Sequence, residues 1–229
     1  MLDYGFYNAD CMDYLKDYPD GYFDLAIADP VYGDVTGGGY VTGKYNGIKM
    51  SKGASALQKD YHTSLWSQDK TQKEFFNELF RVSKNQIIWG GNYFAEEIQK
   101  DSQCWIVWDK QHCAERTFAD CEMAYTSFNR ASRIFRYRWD GMIQQDMKHK
   151  EYRVHPSQKP VALYVWILNN FAKEGDVILD PMVGSGSSLI ACRDTGHKYV
   201  GFEIDETYYG LAKNRIDQHE AQANIFDYM

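Results

Sequence analysis

The chain has no long apolar stretch and no paired cysteines, and each absence excludes a class of protein. None of its hydrophobic runs approaches the ~20 residues that a membrane-spanning helix needs. The opening residues MLDYGFYNAD lack both a basic flank and a hydrophobic signal core, so we expect a cytoplasmic protein. With 229 residues, 44% hydrophobic and 25% charged, the composition favours one folded globular domain spanning 1–229.

The five cysteines are odd in number and form no Cys-x-x-Cys pair, which argues against a disulfide framework and against a cysteine-built zinc site. His112, Cys113 and Cys121 form one loose group without a second spaced pair of ligands. We therefore expect reduced, structural thiols and no metal.

The formal net charge of -7 argues against a nucleic-acid partner, because phosphates need local positive potential. The basic residues are nevertheless concentrated in two stretches. Residues 37–59 contain four lysines and no acid, and residues 130–153 contain seven basic residues against three acids. Aromatic residues are interleaved with both: Tyr40, Tyr45, Tyr137, Trp139 and Tyr152. Each stretch is either a solvated surface or a surface for phosphates and unstacked bases.

Strand-like and helix-like segments alternate along the chain. Apolar runs predict strands at Tyr22–Ala28, Gln86–Trp89, Cys104–Trp108, Cys121–Phe128, Val177–Leu179 and Tyr199–Ile204. Amphipathic patterns predict helices at Thr71–Lys84, Val161–Lys173, Ser187–Thr195 and Glu206–Gln218. This alternation favours an α/β fold with a mostly parallel sheet, whose ligands lie beyond the carboxyl ends of the strands. Two irregular segments, Gly33–Ser67 and Trp139–Gln158, interrupt the pattern and are candidates for functional loops.

The segment Asp180-Pro-Met-Val-Gly-Ser-Gly186 follows a predicted strand and opens a predicted helix. A dinucleotide fingerprint would have a third glycine where Leu189 stands, and an acid at the strand end would repel a pyrophosphate. Glu203 follows at the end of the next strand, where a carboxylate can accept hydrogen bonds from ribose hydroxyls. A nucleoside with a positive, non-phosphate tail fits both features, and S-adenosyl-L-methionine is such a molecule.

The segment Asp29-Pro-Val-Tyr32 lies at the carboxyl end of another predicted strand. An exocyclic base amine is a poor nucleophile, because its lone pair is delocalised into the ring. A carboxylate (Asp29) and a carbonyl (Pro30) that accept its two N–H bonds would aim that lone pair at an electrophilic methyl. Tyr32 is suited to stack on a base that has left the duplex. Taken alone, the segment fits an ordinary strand-terminating Asp-Pro turn better than a catalytic one.

Together and in this order, the two segments make the chain similar to the β group of DNA amino-methyltransferases. The similarity extends to Asn8-Ala-Asp-Cys11 and to His155-Pro-Ser-Gln-Lys-Pro160, while Trp89–Phe94 and Trp108–Lys110 resemble phage-type members. The resemblance implies a Rossmann-like seven-stranded sheet, permuted so that the catalytic half precedes the cofactor half. It also implies cofactor-binding roles for Asp10, Cys11, His155, Lys159, Asp180, Gly184, Ser185, Gly186 and Glu203, with Lys159 pairing with the cofactor's carboxylate.

Val31 departs from the family, which usually has a second proline here, and we expect reduced preorganisation rather than lost activity. The family's cytosine enzymes commonly have serine where Asp29 stands, so the resemblance favours adenine N6 over cytosine N4 as the methyl acceptor. The alternatives are an N4-cytosine enzyme, a methyltransferase acting on RNA or a protein amide, and a non-catalytic relative that binds nucleic acid or cofactor. We expect DNA recognition by residues 33–67 and 139–153. So small a recognition region implies either a homodimer or loose sequence specificity.

Overall fold

The computed structural model of the chain describes residues 1–33, 70–111, 119–140 and 143–226. Its strands are β1 (Gly5–Asn8), β2 (Phe23–Ala28), β3 (Ser83–Trp89), β4 (Trp105–Asp109), β5 (Cys121–Thr126), β6 (Arg133–Arg136), β7 (Trp139–Asp140), β8 (Ile143–Gln144), β9 (Val177–Asp180) and β10 (Lys198–Glu203). Its α-helices are α1 (Cys11–Leu15), α2 (Lys73–Val82), α3 (Ala95–Ile98), α4 (Val161–Phe171), α5 (Ser187–Asp194) and α6 (Glu206–Phe226).

Eight of these strands form one sheet, in the order β1-β10-β9-β2-β3-β5-β4-β6. The five strands from β1 to β3 are parallel, and only β5 runs antiparallel to its neighbours within this sheet. The predicted α/β class and mostly parallel sheet are therefore confirmed.

The resemblance implied seven strands, and the sheet has eight. The additional edge strand, β6, pairs with β4 and is largely exposed. Its sequence, RIFR, contains two arginines and lacks the apolar run that marks an interior strand. At the opposite edge, the amino-terminal β1 pairs with the carboxyl-terminal β10, so the two halves of the chain meet there. The permutation itself stays a prediction.

Apolar residues pack on both faces of the sheet. In β2, Leu25 and Ile27 join a cluster beneath α4, whereas Ala26 and Ala28 join a cluster with α1 and α2. This two-sided burial explains why β2 has an unbroken apolar run after Asp24. Within the described part of the chain, no helix has the length and apolar character needed to cross a bilayer.

The two segments predicted to be irregular differ in what the structure shows. Residues 34–69 lie outside the described residues, so only Gly33 of the segment Gly33–Ser67 is described. His112 and Cys113 also lie outside the described residues. The second begins with the small hairpin of β7 and β8, in which Trp139 and Gln144 are buried. Trp139 donates from Nε1 to the carbonyl of Gln158 at 3.1 Å, so this hairpin is anchored to the residues that lead into α4.

Candidate active site

Because β2, β9 and β10 are parallel, their carboxyl ends meet at one edge of the sheet, and the predicted acids collect there. Asp180, at the end of β9, is buried, and its Oδ1 accepts a hydrogen bond from the backbone N–H of Met182 at 3.0 Å. Its Oδ2 accepts from the hydroxyl of Ser188 in α5. Gly184 and Gly186 have φ angles of 57° and 81°, which favour glycine. The predicted glycine turn is thus present and is fastened to the strand by Asp180.

Glu203 holds the same loop from β10. Its Oε2 accepts from the N–H of Gly184 at 2.8 Å, and its Oε1 accepts from the N–H of Asp205 at 2.9 Å. Each ionised oxygen retains a further lone pair, so the carboxylate can still accept from ligand hydroxyls. Asp10 follows the adjacent β1 and caps α1 by accepting from the N–H of Met12 at 2.9 Å.

The electrostatics of this edge favour a cation. Burial raises the pKa of Asp180 to about 7, although hydrogen bonds from Ser188 and Met182 oppose the rise. The negative charges of Asp29 and Glu203 raise it further, which places the three carboxylates within one electrostatic neighbourhood. A positive sulfonium and ammonium would relieve this repulsion, so the residues present fit S-adenosylmethionine.

His155 and Cys11 lie at this site as uncharged groups. The His155 ring lies against Gly184, where an added Cβ would be 3.4 Å from that ring, and against the ring of Tyr208, with centroids 4.3 Å apart. Burial and the charge of Lys159 lower the pKa of His155 to about 4. Burial raises the pKa of the Cys11 thiol to about 12. Both therefore offer neutral surface to a ligand. Tyr208 was not predicted, since a tyrosine in the pair Tyr208-Tyr209 has no distinguishing sequence signal.

Asp29 follows β2 at the same edge and is held by Tyr32. The Tyr32 hydroxyl donates to Asp29 Oδ1 at 2.7 Å. Burial and the Asp29 charge keep the pKa of Tyr32 well above 10, so its hydroxyl remains a donor. The carbonyl of Val31 accepts from the N–H of Thr71 at 3.0 Å, which fixes the turn. Proline has the same carbonyl, so the predicted effect of Val31 on preorganisation stays a prediction.

The Tyr32 ring requires glycine at position 90. Gly90 has a φ of 64°, and a Cβ there would be 2.3 Å from the Tyr32 ring. Tyr93 and Phe94 complete the aromatic contacts, with centroids 5.3 and 5.9 Å from that of Tyr32. The segment Trp89–Phe94 thus supports Tyr32. The predicted stacking of Tyr32 on a base stays a prediction.

Lys159 lies beside Asp29. Its Nζ donates to Asp29 Oδ2 at 2.5 Å and lies 3.2 Å from Glu122 Oε2, and only 3% of its side chain is exposed. Glu122 also pairs with Lys110, at 2.5 Å. Burial opposes ionisation of Glu122, but Lys159 and Lys110 outweigh it and lower the pKa of Glu122 to about 2. Neither Glu122 nor Lys110 was among the predicted site residues, and the predicted pairing of Lys159 with the cofactor carboxylate stays untested.

Arg215 is a further residue that sequence reasoning did not assign to the site. From α6 its Nη1 donates to the carbonyl of Ser185 and to the hydroxyl of Ser187, both at 2.8 Å. Its Nη2 pairs with Glu151 at 2.5 Å, and Glu151 also accepts from the N–H of Val161 at the start of α4. The arginine therefore links the glycine turn to the segment that follows the β7–β8 hairpin.

Within the described part of residues 139–153, the basic side chains are mostly at the surface. Lys148 and Lys150 are exposed, and Tyr152 is 75% exposed. Trp139, in contrast, is buried, and the guanidinium of Arg153 lies 5.1 Å from the centroid of its ring. Trp139 is therefore part of the core and not a free stacking platform.

Comparisons with known proteins agree with the geometry. A family model described as DNA methylase, N6/N4 type, matches residues 40–214. The type II methyltransferase M.HpaI of Haemophilus parainfluenzae is 38% identical over 79 residues, which are 34% of this chain and 24% of that protein. The matched region thus spans about a quarter of that relative's length.

Solved structures share the fold along most of the chain. The complex of M1.HpyAVI with SAM has a TM-score of 0.55 and 20% identity, covering 92% of this chain and 98% of its own. The cytosine-N4-specific PvuII DNA methyltransferase has a TM-score of 0.56 and 10% identity, covering 96% and 92%. The predicted cofactor, S-adenosylmethionine, is the molecule bound in the first of these structures.

Proposed function

Because the chain belongs to the N6/N4 DNA methylase family, we propose that it transfers a methyl group from S-adenosylmethionine to the exocyclic N6 of adenine in DNA. The observation that supports this most directly is the convergence of Asp29, Asp180 and Glu203 at one sheet edge. Group transfer requires a donor site and an acceptor site that share one space. Asp180 and Glu203 would belong to the donor site and Asp29 to the acceptor site, so their shared edge meets this requirement.

S-adenosylmethionine, when bound, supplies a methyl group activated by a positively charged sulfur. Glu203 and Asp10 would accept from the hydroxyls of its nucleoside, near the neutral Cys11. The glycine turn of Gly184, Ser185 and Gly186 would surround the methionine part, together with His155 and the buried Asp180. These groups bind by shape, neutral surface and negative charge.

Asp29 is the residue that prepares the acceptor. Its carboxylate would accept one N–H of the target amine, and the carbonyl of Pro30 would accept the other. Tyr32 holds Oδ1 of Asp29 through its hydroxyl, at 2.7 Å, so the carboxylate has a defined orientation before the base arrives. Preorganised acceptors of this kind lower the cost of orienting the amine.

The choice of adenine depends on Asp29 standing where the family's cytosine enzymes commonly have serine. The fold does not decide between the bases, since one structural neighbour is cytosine-N4-specific. An N4-cytosine enzyme is therefore the second candidate, and a non-catalytic relative is the third.

We propose that DNA contacts two exposed basic segments, β6 and residues 145–153. Arg133, Arg136, Lys148 and Lys150 are exposed in them, and exposed cations suit a phosphate backbone. The other predicted recognition segment, residues 33–67, is described only at Gly33. The homodimer and the cytoplasmic location stay predictions.

The test is analysis of methylated nucleosides. Unmethylated DNA of mixed sequence is incubated with the protein and S-adenosylmethionine carrying an isotope-labelled methyl, then hydrolysed and examined by mass spectrometry. We expect labelled N6-methyladenine, lost in Asp29→Ala and kept in Asp24→Ala, which removes a carboxylate near the opposite end of β2. Predominant N4-methylcytosine would overturn the adenine assignment. Cofactor binding without methylation of any DNA would favour the non-catalytic relative.

A further inference from the structure

Four charged side chains form a row beside the proposed acceptor site. Lys110 follows β4, Glu122 lies at the start of β5, Lys159 precedes α4 and Asp29 follows β2. Successive ion pairs measure 2.5 Å from Lys110 to Glu122, 3.2 Å from Glu122 to Lys159, and 2.5 Å from Lys159 to Asp29. Positive and negative groups alternate, so the row is neutral as a whole.

The Lys159 ammonium has three N–H bonds, and three neighbours surround it. Two are the carboxylates of Asp29 and Glu122, and the third is the face of Trp89, whose ring centroid lies 5.3 Å from Nζ. A cation above a tryptophan face is a favourable contact. With 3% of its side chain exposed, Lys159 has little capacity left for a carboxylate of the cofactor.

Two contacts fix the orientation of the Asp29 carboxylate. Tyr32 donates to Oδ1 and Lys159 donates to Oδ2. Glu122 is half-buried, with 27% of its side chain exposed, and pairs with both Lys159 and Lys110. If Glu122 lost its charge, Lys159 would have one carboxylate partner. Because Lys159 Nζ is already 2.5 Å from Asp29 Oδ2, we expect the two side chains to shift together, which turns the Asp29 carboxylate away from the target amine.

We propose that Glu122 is a positioning residue for methyl transfer, which acts by holding Lys159 so that Lys159 and Tyr32 together aim the Asp29 carboxylate at the acceptor amine. In this arrangement Lys159 serves the acceptor side of the site and does not bind the cofactor's carboxylate. The inference rests on the proposed function, because it assigns Asp29 to the amine.

The test separates cofactor binding from the transfer step in the purified full-length chain. Glu122→Gln removes the charge at nearly constant shape, and Glu122→Asp restores the charge on a shorter side chain. We expect Glu122→Gln to bind S-adenosylmethionine within about threefold of wild type by calorimetry. We also expect its single-turnover methylation rate to fall roughly 10- to 100-fold, the scale of a misplaced reacting group. Glu122→Asp should recover part of that rate. Asp24→Asn, which removes a lysine-paired carboxylate (2.6 Å to Lys84) outside the site, should retain the wild-type rate.

A second measurement tests the assignment of Lys159. Wild type and Lys159→Met are titrated with S-adenosylmethionine and with its analogue that lacks the α-carboxylate. We expect the ratio of the two affinities to be the same in both proteins. A ratio that collapses in Lys159→Met would show that Lys159 binds the cofactor carboxylate, and it would overturn the inference.

The remaining outcomes are also decisive. An unchanged methylation rate in Glu122→Gln, or a loss of cofactor affinity as large as the loss of rate, would reject Glu122 as a positioning residue. If Glu122→Gln does not fold, as shown by its circular dichroism, the titrations of Lys159→Met decide, and a collapsed affinity ratio there rejects the inference. A wild type that methylates no DNA refutes the proposed function instead, and the two failures are distinguishable.

Discussion

Gly90→Ala is expected to damage both stability and activity, because position 90 combines a left-handed backbone with a close aromatic contact. Its φ is 64°, and an L-residue in that conformation costs about 1–2 kcal/mol. The added Cβ would be 2.3 Å from the Tyr32 ring. Over-packing of this kind costs about 1–3 kcal/mol. Together these effects remove roughly 2–5 kcal/mol from a free energy of unfolding that is about 5–15 kcal/mol in typical domains.

The same clash predicts a specific loss of activity. Normal carbon contacts are about 3.5–4.0 Å, so the Tyr32 ring must move by roughly 1 Å or more to accept the methyl. The Tyr32 hydroxyl holds Asp29 at 2.7 Å, and a displacement of this size breaks or stretches that hydrogen bond. A misplacement of 1 Å at a reacting group can lower the rate by about 100-fold.

A matched control separates the two effects. Gly175 also has a positive φ, of 86°, but a Cβ there would meet nothing within 4 Å. Gly175→Ala should therefore show the backbone cost alone and keep full activity. Urea unfolding followed by circular dichroism gives the stability of each variant, and the labelled-methyl assay gives the rate. If Gly90→Ala matches Gly175→Ala in both measurements, the reasoning about Tyr32 is wrong.

Three further predictions follow from the same geometry. Burial raises the pKa of Asp180 to about 7, so below pH 7 the carboxyl must lose a proton before a cation binds. The Kd for S-adenosylmethionine, measured by calorimetry, should therefore rise by up to about tenfold for each pH unit below 7. Asp180→Asn should flatten this pH dependence. Arg215→Met leaves the half-buried Glu151 without its ion pair and should lower the free energy of unfolding by about 1–3 kcal/mol. Adding Glu151→Gln to this variant should cost little more, and additive losses would contradict the coupling. Replacing exposed Lys148 and Lys150 by alanine should weaken DNA binding across sequences. The slope of log K against the logarithm of salt concentration should become shallower by about 2, and an unchanged slope would exclude both lysines from the interface.

The interior of the fold is predictable because its signals are local. The run Tyr22–Ala28 predicts a strand and β2 occupies Phe23–Ala28, since burial on both faces demands continuous apolar residues. The amphipathic pattern of Thr71–Lys84 predicts α2, which spans Lys73–Val82. The structure begins β3 directly after α2, at Ser83, where the sequence pattern places it at Gln86. Residues between two elements carry neither periodicity clearly, which explains the difference.

The edge strands could not be predicted in this way. β6 is exposed and carries two arginines, and β1 is a short, half-buried strand of four residues. Neither has the apolar run or the strict alternation that marks a strand. Both are formed because a neighbouring strand offers unpaired backbone groups, and that neighbour is distant in sequence.

The candidate site likewise contains residues with a local sequence signal and residues without one. Asp29, Asp180 and Glu203 could be found from sequence because each lies at or next to the carboxyl end of a predicted strand, and parallel strands share one carboxyl edge. Lys159 reaches Asp29 across 130 positions of sequence, and no local pattern encodes that contact. Glu122 stands at the beginning of its strand, which would place it at the far edge if β5 were parallel. Because β5 is antiparallel, its first residues lie beside the ends of β3 and β4, and Glu122 enters the site. Hydrophobic periodicity does not encode strand direction, so the residue that we infer to position the catalytic acid becomes visible only when the direction of β5 is known.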